Sequence, residues 1–168
     1  LANNFCKDCG VNVDYLNIIK MVDNWLPSFD MTEQIKIDKH IDEHLNTIIN
    51  DIQSCKKEIQ TVTDTDRQAH LEYLENVSKF PEGLFKNLYK VTDDCSQCGI
   101  CTQVCPAGCI SIINNKIVYN IENCQTCMAC IHNCPKKAIQ LNIPEKNPNA
   151  RYRNENITLQ EIIKSNIQ

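Results

Sequence analysis

Apolar positions along the chain fall into two regimes that meet near residue 89. Upstream, the periods are long. Positions 11–19 alternate and end in an apolar run, which predicts a strand. Positions 20–29 carry no period and read as a loop. Asp30 with Glu33 makes a capping box in its Asp variant. Beyond it, Ile41, Leu45, Ile48, Ile52, Cys55 and Ile59 recur at steps of 4, 3, 4, 3 and 4. That spacing predicts one long helix with a single apolar stripe in need of a partner surface. A second helix, capped at Thr65 with Gln68, runs to about Phe80 and stops at Pro81. Gly10 reads as a C-cap closing a short helix over residues 5–9. One strand and two or three helices cannot enclose a core of their own, so this half is expected to need more surface than it carries.

Downstream, the periods shorten. Positions 110–113 and 117–119 flank Asn114, Asn115 and Lys116, a strand, a tight turn and a strand. Positions 138–143 form a further strand, and 89–92 is expected to pair with it. Residues 144–154 are a polar extension in which Lys146, Arg151 and Arg153 either clamp a neighbouring domain or form a solvated basic patch. Thr158 with Glu161 makes a capping box for a short terminal helix.

Two cysteine runs decide the chemistry. Cys95, Cys98, Cys101 and Cys105 precede Pro106, and Cys124, Cys127, Cys130 and Cys134 precede Pro135. Each is C-x2-C-x2-C-x3-C-P, a pattern that holds 4Fe–4S clusters. Structural zinc takes paired C-x2-C knuckles with two ligands each, whereas each run here offers three evenly stepped thiolates plus a fourth. Three close cysteines wrap three iron corners, and the fourth points away toward the other cluster. The expected sets are therefore Cys95, Cys98, Cys101 and Cys134 for the first cluster, and Cys105, Cys124, Cys127 and Cys130 for the second. The runs are halves of a repeat offset by 29 residues, Cys95 to Cys124 and Cys105 to Cys134. A proline after each fourth ligand suits the first residue of a short helical turn.

Four cysteines lie outside this pattern. Cys55 falls on the helical stripe and reads as a small hydrophobe. Cys6 and Cys9 are a lone pair with no evident further ligands, and Cys109, four residues after Cys105, is a reserve ligand. His132 sits inside the second run, where it either tunes the local charge or is a solvated surface residue. Tyr89 and Tyr119 either pack on cluster faces or serve as ordinary core aromatics.

Composition narrows the classes. A chain of 168 residues bounds one to two small domains. No apolar secretory segment opens it and no apolar stretch reaches the roughly 18 residues of a membrane span. A reducing cytoplasmic setting is therefore expected, in which the 12 cysteines are ligands rather than bridges. The formal charge of −4 understates the acidity of a loaded protein, because each bound cluster with four thiolates adds about −2. That argues against nucleic acid as a partner and favours a basic docking face on a redox partner. No constellation of general acid, base or nucleophile appears.

The region from Tyr89 onward closely resembles the two-cluster bacterial ferredoxins. The resemblance implies a compact α+β module, low reduction potential and one-electron carriage. The stretch from Ile19 to Pro27, the long helix, the cysteine runs and the segment from Arg151 to Asn154 together resemble a bacterial fusion family, a flavodoxin-like domain followed by a ferredoxin. On that resemblance, residues 1–60 are the C-terminal remnant of a flavodoxin-like domain, 61–88 a helical linker, 89–143 the two-cluster ferredoxin domain, and 144–168 the polar extension with its helix. The phosphate-binding loop of flavodoxins has no counterpart here, and the chain opens on Leu1, so a fragment is expected. FMN is then expected only if an upstream flavodoxin domain is present. Trp25 lies in a loop that either approaches a flavin ring or packs a core. The functional expectation is electron transfer through two 4Fe–4S clusters to a flavin domain or an external redox protein. The alternatives are the electron-input module of a flavin-dependent reductase and an iron–sulfur sensor.

Overall fold

A computed structural model describes residues 2–166, which form two compact units. One comprises residues 2–22 and 38–80, the other 23–37 and 81–166. The units divide the chain differently from its sequence pattern. Residues 61–80 fall in the first unit, and residues 23–37 form a strap within the second.

In the first unit, α1 (Ala2–Asp8) ends on Gly10 at φ 76°. The Val11 N–H reaches Cys6 O at 2.8 Å and the Gly10 N–H reaches Lys7 O at 2.9 Å, the bond pair of a Schellman end. The strand expected over 11–19 shrinks to β1 (Tyr15–Leu16), which pairs in parallel with β2 (Glu58–Ile59). The single long helix is also corrected. It is a one-turn α2 (Met31–Gln34), which belongs to the strap, and a separate α3 (Ile41–Gln53). Asp38 Oδ1 accepts the His40 N–H at 2.8 Å, and His40 sits at φ 49°, so the chain turns there instead of continuing as helix. Cys55 lies beyond the end of α3 at φ 53° and is exposed, so it packs no stripe, and Ile59 belongs to β2. In α4 (Asp64–Ser78) the cap is Thr63, not Thr65. Asp66, three residues on, accepts both the Thr63 N–H and its hydroxyl, while Gln68 bonds Glu72 instead. No described residue of this unit is buried, and Leu45, Ile49 and Ile52 of α3 stand exposed.

The second unit holds the core. β3 (Tyr89–Val91) pairs antiparallel with β6 (Ile139–Leu141), in line with the sequence pattern. β4 (Ile110–Ile113) and β5 (Lys116–Tyr119) form a hairpin whose two-residue turn, Asn114 and Asn115, takes positive φ at both positions. Two one-turn helices, α5 (Ile100–Gln103) and α6 (Ala129–His132), pack on each other, α5 also against β4 and α6 against β6. Leu26, Met31, Leu88, Met128, Ile131, Ile139 and Leu141 are fully buried together, and Val104 is fully buried as well. The strap therefore contributes core residues from outside the cysteine region. Its Leu26 carbonyl accepts the Lys146 N–H at 2.8 Å, and Asp30 accepts both the Thr32 N–H and the Asn147 amide. Glu33 pairs with Lys36 rather than closing a box with Asp30. α7 (Leu159–Ser165) opens on the expected box of Thr158 and Glu161.

Arg151 corrects the reading of a solvated basic extension. It turns inward, its side chain 7% exposed, and donates to Glu145 Oε2 at 2.9 Å. Glu145 in turn accepts the Leu141 N–H at 2.8 Å, so the pair fastens the extension to β6. Among the described residues, no helix is long and apolar enough to cross a membrane.

Candidate iron–sulfur site

Each cysteine run folds around residues in the left-handed backbone region. Gln97, Gly99 and Gly108 take φ of 59°, 77° and 57°, and Thr126, Met128 and Lys137, each 29 residues on, take 53°, 59° and 52°. In each run two such turns fall two residues apart inside the three-cysteine loop and a third follows the fourth cysteine, which curls the loop and aims N–H groups inward. Gly99 and Met128 are the N-caps of α5 and α6, so the third cysteine of each run, Cys101 and Cys130, enters on the first helical turn and is buried.

Two cavities result. One is lined by Cys95, Cys98, Cys101 and Cys134 with Ile100, Ile117 and Ile139. The other is lined by Cys105, Cys124, Cys127 and Cys130 with Cys109, Tyr89 and Tyr119. The fourth cysteine of each run thus borders the cavity of the opposite run. Among the described residues no three His, Cys, Asp or Glu side chains gather closely enough to grip a single ion. The sulfurs instead surround a wider space.

The electrostatics of these walls suit a polynuclear cation. Neither lining contains Lys, Arg or His, so nothing there offsets a thiolate. Burial pushes the Cys101 thiol up to about 11 and the Cys130 thiol up to about 12, and neighbouring thiolates add to both shifts. Iron reverses that balance, because its charge favours the deprotonated ligand. Backbone N–H groups already point at sulfur: Cys109 N to Cys105 Sγ at 3.4 Å, Thr126 N to Cys124 Sγ at 3.4 Å and Ala138 N to Cys134 Sγ at 3.3 Å. The residues present therefore fit 4Fe–4S clusters.

Similarity to known proteins points the same way. Residues 87–135 match the family model of the 4Fe–4S dicluster domain. This segment is a ferredoxin-type iron–sulfur domain. A ferredoxin of Rickettsia felis is 36% identical over 59 residues, covering 34% of this chain and 54% of the relative. Ferredoxin-1 of Caulobacter vibrioides is 39% identical over 54 residues, covering 31% of this chain and 48% of the relative. A subunit of an ion-translocating oxidoreductase complex of Methanosarcina acetivorans is 40% identical over 47 residues, 28% of this chain and 18% of that protein. The chain thus spans about half the length of the two ferredoxins it matches and under a fifth of the oxidoreductase protein. No solved structure matches.

Around this ferredoxin-type domain the remaining sequence candidates find their places. Tyr89 and Tyr119 stack with centroids 4.9 Å apart and rings 16° from parallel, both in the wall of the second cavity. Burial, followed by the nearby sulfurs, raises both phenols well above their ordinary range. Cys109 is buried with its Sγ 3.3 Å from Cys105 Sγ, a fifth sulfur on the same wall. Cys6 and Cys9 lie on and just after α1, and neither cavity lining includes them. Trp25 packs against the core of the second unit. His132 is not a solvated surface residue. Its Nδ1 accepts the Tyr152 N–H at 3.1 Å, its Nε2 lies 3.3 Å from Asn24 O, and burial lowers its pKa. Asn24 also donates to the carbonyl of Cys127 at 3.2 Å, which ties the strap to the second cysteine loop. The loop-like sequence around Asn24 gives no sign of that bond.

Proposed function

We propose that the chain carries one electron at a time between redox partners through two 4Fe–4S clusters. Cys95, Cys98, Cys101 and Cys134 hold the first and Cys105, Cys124, Cys127 and Cys130 hold the second. The observation that carries this reading is the lining of the two cavities, each with three cysteines of one run and the fourth of the other. When bound, such clusters supply one-electron chemistry at potentials set by charge, hydrogen bonds to sulfur and solvent access. The chain's own residues hold the thiolates, aim N–H groups at them and exclude water with Ile100, Ile117, Ile139, Tyr89 and Tyr119. Exchanging fourth ligands also ties the two halves of the domain together. The match to part of an ion-translocating oxidoreductase complex supports docking on a larger redox assembly.

A second reading concerns the first unit. Parallel strands need a crossover and normally lie in sheets covered on both faces. The parallel pair of β1 and β2, with no buried residue around it, favours a piece of an α/β domain such as the flavodoxin-like one. In that setting the protein is the electron-input module of a flavin protein.

The deciding experiment is iron and acid-labile sulfide analysis after anaerobic reconstitution. About eight of each per chain is expected for two clusters. Four iron per chain overturns the two-cluster reading.

A further inference from the structure

The two cavities differ in one respect that the cysteine pattern does not contain. Tyr89 Oη stands 3.5 Å from Cys124 Sγ, and Tyr119 donates toward Cys130 Sγ at 4.0 Å. Stacking of the two rings fixes both hydroxyls on the same wall. At the first cavity the corresponding wall is Ile100, Ile117 and Ile139, and Cys134 takes its hydrogen bond from the Ala138 backbone N–H.

We propose that Tyr89 and Tyr119 are positioning residues that raise the reduction potential of the second centre above that of the first. The inference rests on the two-cluster reading above. Reduction adds negative charge that spreads over the ligating sulfurs. A donor aimed at sulfur stabilises the more negative state more strongly, and so raises the potential. Low local dielectric strengthens such bonds; Tyr89 is buried in the core and Tyr119 packs half-buried against it. Backbone N–H groups reach sulfurs of both sites, Cys105 and Cys124 on one side and Cys134 on the other, whereas the two hydroxyls serve one site. An electron that enters at the first centre then runs downhill and rests beside Cys124 and Cys130. The protein is a directed wire rather than a pair of equal stores.

The test uses the full chain reconstituted with iron and sulfide, titrated under EPR with Tyr89→Phe and Tyr119→Phe. Phenylalanine keeps the ring stack and removes only the hydroxyl. The wild type should show two midpoints. Each variant should lower the higher one, by roughly two- to tenfold in its reduction equilibrium, up to 59 mV, and leave the lower one in place. The paramagnetically shifted cysteine signals of Cys124 and Cys130 should move while those of Cys95 and Cys98 stay. Replacing the five tyrosines with 3-fluorotyrosine, a stronger O–H donor, should raise the same midpoint, and this holds the test open if a Phe variant does not load. Two unmoved midpoints in fully loaded protein overturn the tyrosine role and leave the two-cluster reading standing. A shift confined to the Cys95 signals overturns it as well. A wild type that takes up only four iron overturns both.

Discussion

At Cys101 and Cys130, burial and the neighbouring thiolates hold the thiols protonated, so these side chains gain their charged form only with a cation beside them. Local spacing alone identifies them, because a three-cysteine loop is short enough for its ligands to be set by its own backbone. The partner of each loop is a different matter. Cys134 borders the cavity of Cys95, Cys98 and Cys101, and Cys105 that of the other three. Cys134→Ala should therefore disturb the same paramagnetically shifted signals as Cys95→Ala, and Cys105→Ala those of Cys124, Cys127 and Cys130. Signals of Cys95 untouched in Cys134→Ala would contradict the exchange. Cys109→Ala should leave the iron count unchanged, since each site already has four sulfurs; loss of four iron would make it a ligand. His132 is illegible in the sequence because its partners Asn24 and Tyr152 come from other segments, and no periodicity places them. Arg151 meets Glu145 within its own extension, but its inward turn onto the Ile139 carbonyl of β6 depends on packing that no periodicity shows.

At the scale of elements, the strap and the extension supply burial that short strands cannot. β3 and β6 have three residues each, so their sheet buries little alone. Leu26, fully buried, comes from a segment whose sequence reads as a plain loop. Leu26→Ala should cost about 2–5 kcal/mol of stability in the second unit, as a large-to-small core change does. Denaturant unfolding followed by the fluorescence of Trp25, the only tryptophan, measures it. The Arg151–Glu145 pair is similarly committed. Glu145→Gln leaves a buried guanidinium without its counter-charge and should destabilise the unit by about 3–5 kcal/mol, read by the same titration. Arg151→Met with Glu145→Met should recover much of that loss, since no charge then remains buried. The broken long helix also has a local cause. A step of 3 and 4 runs from Ile41 to Ile59, but the Asp38 side chain and the left-handed His40 turn the backbone ahead of it, and the left-handed Cys55 ends the helix before Ile59.

For the whole molecule, the second unit has a core and the first does not, among the described residues. If ligation and folding are one free energy in a small metal domain, chelating the iron should unfold the second unit. Near-ultraviolet circular dichroism and Trp25 emission should both collapse together on adding a strong chelator, and return on reconstitution. Retention of both signals in an iron-free sample would uncouple them. The described residues should also fail to retain FMN, because no phosphate cradle of backbone N–H groups is present in the first unit's sequence. Equilibrium dialysis with micromolar binding would sink that expectation.

The cofactor chemistry, the strand hairpin, the cap that closes α1 and the box that opens α7 were all legible in the order of the residues. They depend on residues within a few positions of one another, where spacing, a glycine or a capping side chain acts directly on the local backbone. Long-range packing was needed to bring the strap into the cysteine domain, to turn Arg151 and His132 inward, and to set both tyrosine hydroxyls beside one of the paired sites. Each of those depends on which distant surfaces meet, and burial is settled only when they do.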